Sequence, residues 1–258
     1  MLRSLLFVPA KEKMLNKIAS FTADGYIIDL EDSISEEEKG NALISVITFL
    51  EEHKEMSNLF VRLNKNRFKE EAVALNGFRV GFMLPKFETP EEYSSLDGVW
   101  TQHSVVALIE TPMGVLKVQE TARCEWVDAL AFGAEDYTAS VNMLNDDTML
   151  RPVKSTMVMT AKAYGKKIFD TPSFKLNEET EFEQEVKNAV GLGFDGKMAI
   201  SPKHIQFIND SFNSNDLEYL RSVITRYEAD GNAVVVIDGK VYEKMHINRF
   251  KKIIKENS

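Results

Sequence analysis

Short apolar, β-branched or aromatic runs recur along the chain, separated by polar, helix-compatible stretches: Leu5–Val8, Tyr26–Leu30, Leu59–Leu63, Gly81–Leu84, Val105–Ile109, Ala129–Phe132, Lys167–Phe169 and Lys197–Ile200. A strand buried on both faces reads as a continuous hydrophobic run, and such runs alternating with helical patterns mark parallel βα units. The intervening stretches hold helical segments such as Lys11–Ser20, Glu36–Glu52, Met113–Arg123, Arg151–Tyr164 and Glu178–Gly191, several opened by a capping residue or Pro and closed by Gly. Eight βα units predict an α/β chain folded as a closed (β/α)8 TIM barrel. A doubly wound sheet usually has fewer strands and a Gly-rich first turn, which Val8-Pro9-Ala10-Lys11 does not supply.

After Asn213 the pattern changes. Ser214-Asn215-Asp216-Leu217-Glu218 reads as a helix cap, Arg221–Glu228 as helix, Ala233–Ile237 and Asp238-Gly239-Lys240 as strand and hairpin turn, and a last helix is expected from about His246 to Lys255. The expected division is a barrel with the active site over residues 1–212 and an extension over 213–258. Judged too small for a core of its own, the tail should pack on the barrel or on a neighbouring subunit.

Composition narrows the class. The 258 residues match the roughly 250 of a one-domain barrel, and 44% hydrophobic with 10% aromatic residues supports a large core rather than disorder. A net charge of −9 without a long basic tract argues against nucleic acid or an anionic membrane as partner, so a small molecule is expected. Cys124 is the only cysteine, which excludes an intrachain disulfide or a thiolate cluster and suits a reducing cytoplasm; the residue itself reads as a buried small hydrophobe. The first residues, Met1-Leu2-Arg3-Ser4-Leu5-Leu6-Phe7-Val8-Pro9, lack the apolar length and cleavage site of a signal peptide, and no run reaches membrane-spanning length.

The candidate chemistry sits where strands end. Ala107-Leu108-Ile109-Glu110-Thr111-Pro112 and Ala131-Phe132-Gly133-Ala134-Glu135-Asp136 each stop abruptly at acids, and the carboxyl edge of a barrel is where its chemistry lies. Glu110 and Asp136 on neighbouring strands suit one cation; with few carboxylates and several open positions, that cation is Mg2+. The plain alternative is that each acid only caps the helix that follows. Asp29-Leu30-Glu31-Asp32, Arg62-Leu63-Asn64 and Pro85-Lys86 end three more strands in charge. Buried charges are costly unless paired or metal-bound, so five such ends point to one shared site, against a surface salt-bridge network as the bland reading. Within it Arg62 suits a substrate carboxylate or enolate oxygen, and Lys86 suits orienting Asp29, Glu31 or Glu135. A Schiff-base role for Lys86 is disfavoured by acidic surroundings that keep it protonated. His53, His103, His204 and His246 have no metal-ligand spacing and read as surface or packing residues.

Seven segments in order and register carry a resemblance: Arg3-Ser4-Leu5-Leu6-Phe7-Val8-Pro9, Asp29-Leu30-Glu31-Asp32-Ser33, Val61-Arg62-Leu63-Asn64, Met83-Leu84-Pro85-Lys86-Phe87-Glu88, Ile109-Glu110-Thr111-Pro112, Phe132-Gly133-Ala134-Glu135-Asp136 and Gly193-Phe194-Asp195-Gly196-Lys197-Met198-Ala199-Ile200-Ser201-Pro202. Over nearly the whole chain the sequence resembles the citrate lyase β-subunit group of the HpcH/HpaI aldolase family. The resemblance implies a Mg2+-dependent (β/α)8 lyase that makes or breaks the carbon–carbon bond between a 2-oxo acid and an acyl thioester enolate. It places Glu110 and Asp136 on the metal ligands, Arg62 on the arginine facing substrate oxygens, and Glu31, Asp32 and Lys86 on the polar shell, with Asp29 and Glu135 beside them.

Two segments depart from the group. Relatives commonly read Val-Pro-Gly-Asp followed by Arg-Pro where this chain has Val8-Pro9-Ala10-Lys11-Glu12-Lys13, and Ile-His-Pro where it has Ile200-Ser201-Pro202. Both lie where the group handles its acyl arm, so coenzyme A, a carrier protein or no thioester at all stay open. An aldolase of class II type acting on free 2-oxo acids, or a non-catalytic barrel subunit, are the alternatives. In the tail, Glu243 stands where the group has an Asp serving as general acid/base, with an ordinary exposed Glu as the other reading. The segment Val234–Met245 is therefore expected as a lid over a barrel mouth, that of a neighbouring subunit in a homo-oligomer, trimer or hexamer.

Overall fold

In the computed structural model of the chain, which describes residues 2–213 and 217–256, eight parallel strands pair in sequence order and the last pairs with the first. They are β1 Ser4–Pro9, β2 Gly25–Asp29, β3 Leu59–Arg62, β4 Gly81–Leu84, β5 Val105–Ile109, β6 Ala129–Phe132, β7 Lys167–Asp170 and β8 Gly196–Ala199. The expected closed barrel is thus present, and every strand lies within a residue or so of its apolar run. Side chains alternate across the barrel wall. Leu5, Ile27, Phe60, Met83, Val106, Leu108, Ala129, Ala131, Phe169 and Met198 pack on one another as the interior layers. Counting two residues onward from these names the next layer at the carboxyl end, which includes Pro9 beyond Phe7, Asp29, Arg62, Glu110, Gly133, Thr171 and Ile200. That layer is where the site lies.

The helices are α1 Glu12–Leu15, α2 Lys39–Glu52, α3 Phe68–Leu75, α4 Asp97–Trp100, α5 Pro112–Leu116, α6 Val118–Arg123, α7 Ala134–Ser140, α8 Asp147–Ala163, α9 Glu179–Leu192, α10 Ile205–Asn213, α11 Leu217–Asp230 and α12 Lys244–Glu256. Local chemistry sets their ends. Asp146 caps α8 by accepting the Thr148 and Met149 N–H groups, and Gly193, at φ 96°, supplies the left-handed residue that closes α9. Two expected helices are broken. Lys11–Ser20 reduces to α1 and a 3-10 turn at Ile18–Ser20 joined by an i−3 bond from Lys17 to Met14. Met113–Arg123 divides at Lys117, whose backbone leaves the helical region. Cys124 is half-buried rather than buried.

The chain divides into two compact units, Leu2–Asn209 and the stretch from Asp210 onward. The helix cap read at Ser214-Asn215-Asp216 lies outside the described residues. In the second unit β9 Val234–Ile237 and β10 Lys240–Glu243 form the expected hairpin. Its two-residue turn, Asp238-Gly239, has φ of 50° and 76°, the left-handed pair that matches strand twist. Contrary to expectation the tail has a small core: Val223, Val235, Ile237, Tyr242 and Ile247 pack together, with Tyr219, Ile224, Tyr227 and Phe250 against them. Its helices and hairpin pool apolar faces that are individually narrow. The opposite hairpin face leaves Val234, Val236 and Val241 exposed. Glu243, exposed and paired in register with Val234, shares that face. No helix among the described residues is long and apolar enough to cross a membrane.

Candidate active and metal-binding site

A cavity of about 380 Å3 opens at the carboxyl ends of the strands. Its lining combines Phe7, Leu108, Phe174, Met198 and Ile200 with Asp29, Asp32, Arg62, Glu110 and Asp136, an apolar cup with a few convergent polar groups. The charged residues come inward because each lies two positions beyond an interior residue: Asp29 after Ile27, Arg62 after Phe60 and Glu110 after Leu108.

Arg62 is the hub of one side. Its Nε and Nη2 donate to the two oxygens of Asp29 at 2.7 and 2.8 Å, and Nη1 donates to Asp32 at 2.8 Å. Glu31 Oε2 lies 3.1 Å from Nη1, and the guanidinium sits 5.1 Å from the Phe7 ring centre. Burial alone would raise the Asp29 carboxyl, yet Arg62 holds it below the usual range. The fork expected to grip a substrate carboxylate therefore faces Asp29. Arg62 nevertheless remains part of the cavity lining.

Glu110 is only 3% exposed. Its Oε1 accepts the Lys86 backbone N–H at 2.7 Å, while Oε2 faces Gly133, where a Cβ would stand 2.6 Å away. Only glycine lets the carboxylate approach. Lys86 adopts φ 47°, a strained left-handed conformation for a non-glycine residue. The turn is held from outside: Lys65 Nζ donates to the Lys86 carbonyl at 3.0 Å and to the Tyr93 hydroxyl at 3.2 Å, and Tyr93 donates to the Pro85 carbonyl at 3.0 Å. Lys86 Nζ reaches Glu31 at 3.3 Å. Although burial pulls the other way, Glu31 keeps this ammonium above the ordinary lysine value, against a Schiff-base role.

The helix-cap alternative does not describe these acids. Thr111, not Glu110, caps α5 by accepting the Gly114 N–H, and α7 has no side-chain cap. Nor is this a surface network, since Asp29, Glu31, Arg62 and Glu110 are 4, 7, 8 and 3% exposed. Asp136 is half-buried at the cavity wall and makes no hydrogen bond or ion pair among the described residues. Glu135 lines the cavity too, although it is exposed and accepts from Asn145 at 2.6 Å.

The charges do not balance. Asp29, Glu31, Asp32, Glu110 and Asp136 face two cations, Arg62 and Lys86. Burial, with Glu31 and then Asp136 adding to it, pushes the Glu110 carboxyl up to about 8, and burial with Asp32 raises Glu31. A cation beside Glu110 and Asp136 would relieve both. Among the described residues no group of three or more His, Cys, Asp or Glu converges as a ligand set. Two carboxylates with the other positions left to water or substrate would be a donor set for Mg2+ rather than for a structural zinc.

Several residues near the site were not among the expected ones. Thr171 lines the cavity and accepts the Ala134 N–H at 3.1 Å. Asp170, before it, is fully buried against Lys154 and Lys197. The signal was available, since Phe169-Asp170-Thr171-Pro172 repeats the form of Ile109-Glu110-Thr111-Pro112. The histidines behave as packing groups: His53 stacks on Phe49, His204 on Phe182, and His103 bonds to the Val80 carbonyl.

Comparison with known proteins bears on this geometry. The profile of the HpcH/HpaI aldolase/citrate lyase family matches residues 3–202. The chain is 29% identical to citrate lyase subunit beta of Leuconostoc mesenteroides subsp. cremoris, over 98% of this chain and 92% of that protein. It is 30% identical to mitochondrial citramalyl-CoA lyase of Mus musculus, over 81% and 71%. Among solved structures, the citrate lyase beta subunit of M. tuberculosis complexed with oxaloacetate and magnesium superposes with a TM-score of 0.71 at 25% identity, covering 81% of this chain and 96% of that one.

Proposed function

The chain belongs to the HpcH/HpaI aldolase/citrate lyase family, and on that premise we propose that it is a Mg2+-dependent carbon–carbon lyase joining or parting a 2-oxo acid and the enolate of an acyl thioester. Relatives named as lyases of citrate and of citramalyl-CoA support the reaction class. The observation that carries the reading is the excess of buried carboxylate around Glu110, whose Oε2 faces Gly133 and whose pKa is pushed up to about 8 by burial and neighbouring acids. Bound at Glu110 and Asp136, Mg2+ would supply Lewis acidity to oxygens that gain negative charge as the carbon–carbon bond breaks.

The chain's own residues supply the rest. The Lys86 N–H fixes Glu110, and Asp29 and Asp32 lock the Arg62 plane. The remaining Nη hydrogens of Arg62 then meet a substrate oxygen without reorganising as charge develops there. Phe7, Leu108 and Met198 form a dry wall beside it. In the cleavage direction the substrate hydroxyl loses its proton as the 2-oxo group forms and the enolate carbon takes one up, and Glu243 in the tail is the acid/base group assigned to carry it. A homo-oligomer in a reducing cytoplasm is the setting we assign to it.

A reading without any thioester, as an aldolase on free 2-oxo acids, is favoured by Ser201: its hydroxyl accepts the Lys203 N–H where the group usually has His. Turnover of pyruvate with aldehydes, and none with acyl-CoA, would select that reading. The test of the metal reading is calorimetric. Glu110→Gln and Asp136→Asn should each abolish Mg2+ binding and metal-dependent turnover while circular dichroism stays parental; unchanged Mg2+ affinity in both would remove the assignment.

A further inference from the structure

The buried charges outside β7 and β8 take no part in the chemistry above. Asp170 and Lys197 each follow or precede an interior residue by one position, Phe169 and Met198, so they point out of the barrel toward α8 and α9. Lys197 Nζ donates to Asp170 Oδ2 and to the Thr171 carbonyl, both at 2.7 Å. Lys154 of α8 sits 3.0 Å from Asp170 Oδ1 and donates to Asp147 Oδ1 at 2.5 Å, and Asn188 of α9 donates to the other Asp147 oxygen at 2.6 Å. Two anions and two cations from three elements, β7, β8 and α8, meet with their charges balanced, and α9 adds the Asn188 amide. Desolvation offsets most of the attraction in such a cluster, so its return in stability is small and its geometry is what it fixes.

What it fixes is the end of β7. Lys197 holds the Thr171 carbonyl, while the Thr171 hydroxyl faces the cavity and accepts the N–H of Ala134 at 3.1 Å. Ala134 opens α7, and first-turn N–H groups have no partner within their own helix; Gly133 before it has no side chain to serve as cap. Asp136 lies two residues on, in the same first turn, and has no other tether among the described residues. We propose that Thr171 is a positioning residue for Asp136, anchored through its carbonyl by the buried Lys197–Asp170–Lys154 cluster. This rests on the reading of Asp136 as a Mg2+ ligand.

The test is Mg2+ titration calorimetry on the full chain, with thermal melts in chelator alongside. Thr171→Val removes the acceptor and keeps the volume, Thr171→Ala removes it without adding any contact, and Thr171→Ser keeps it. The Val and Ala variants should bind Mg2+ about tenfold more weakly, the loss typical of removing a group that orients a ligand, while the Ser variant binds as the parent does. Should the Val variant not fold, the Ala variant decides. Lys197→Met should weaken Mg2+ binding in the parent but no further in the Thr171→Ala background, because one path carries both effects. Lowered melting temperatures with unchanged Mg2+ affinity would make Thr171 a structural cap and overturn the proposal; additive losses would overturn its anchor. A parent chain that takes up no Mg2+ overturns the metal reading itself, and this inference with it.

Discussion

At the scale of single residues, the site depends on close approach. A Cβ at Gly133 would stand 2.6 Å from Glu110 Oε2 and 2.9 Å from its Cβ, nearer than real Cβ contacts come, and Glu110 has no slack because Oε1 is held by Lys86. Gly133 has φ −102°, a conformation open to any residue, so Gly133→Ala strains no backbone. It should leave a folded chain with Mg2+ affinity reduced at least tenfold, as for other losses of ligand orientation; parental affinity would show that Glu110 can retreat without leaving the metal. Arg62 makes a second residue-scale case. Its planar fork meets both Asp29 oxygens while Nη1 reaches Asp32, a bidentate geometry that an ammonium, whose three donors radiate from one nitrogen, does not reproduce. Arg62→Lys should keep secondary structure and lose turnover by about 10²-fold or more, the loss seen when a donor to a developing oxyanion is removed. Parental kinetics would reduce Arg62 to packing.

At the scale of elements, the strands were legible because a barrel strand is buried on both faces and writes itself as an unbroken apolar run; Gly81–Leu84, Val105–Ile109 and Ala129–Phe132 have the expected bounds. The helices were less so, because caps and single φ/ψ values such as those of Lys117 decide where they stop. The near-identical ends of β5 and β7 show the limit for the site. Glu110 follows interior Leu108 by two residues and enters the cavity, whereas Asp170 follows interior Phe169 by one and enters the helix layer; the composition of the motif is the same and only parity separates them. A packing contact between α9 and the turn after β8 gives a prediction of its own. His204 is 5% exposed, stacks on Phe182 at 3.9 Å, and its Nδ1 has no hydrogen-bond partner among the described residues. Burial, with Lys197 and Lys203, holds the imidazole below its ordinary 6.5 against the smaller pull of Glu185. The unfolded chain therefore takes a proton that the folded chain resists. The contribution of this neutral ring is full above pH 6.5 and is lost as pH falls toward the folded value, with a slope of at most about 1.4 kcal/mol per pH unit. His204→Phe, which keeps the stack, should flatten melting temperature against pH below 6.5. An unchanged slope would place the acid sensitivity elsewhere.

At the scale of the whole molecule, the question is how a proton reaches an enolate that must be kept from water. The tail's small core escaped the sequence because its apolar residues are spread over two helices and a hairpin, none of which is hydrophobic enough alone. The hairpin is different: its exposed face carries Val234, Val236 and Val241 with Glu243 in register beside Val234. An apolar face bearing a single acid suits a cover that excludes water and transfers a proton. Acting on a neighbouring chain's barrel, this cover would make activity depend on assembly, and each site would draw Asp136 from one chain and Glu243 from another. Glu243→Gln and Asp136→Asn chains should each be inactive alone. Co-assembled in equal amounts, they should regain activity, because random mixing puts both intact groups together at about one site in four. The measurement is turnover of dissociated and reassembled mixtures, with mixed oligomers verified by differential tagging. Verified mixed oligomers without activity would confine each site to one chain, and a Glu243→Gln enzyme as fast as the parent would remove the tail acid from the chemistry.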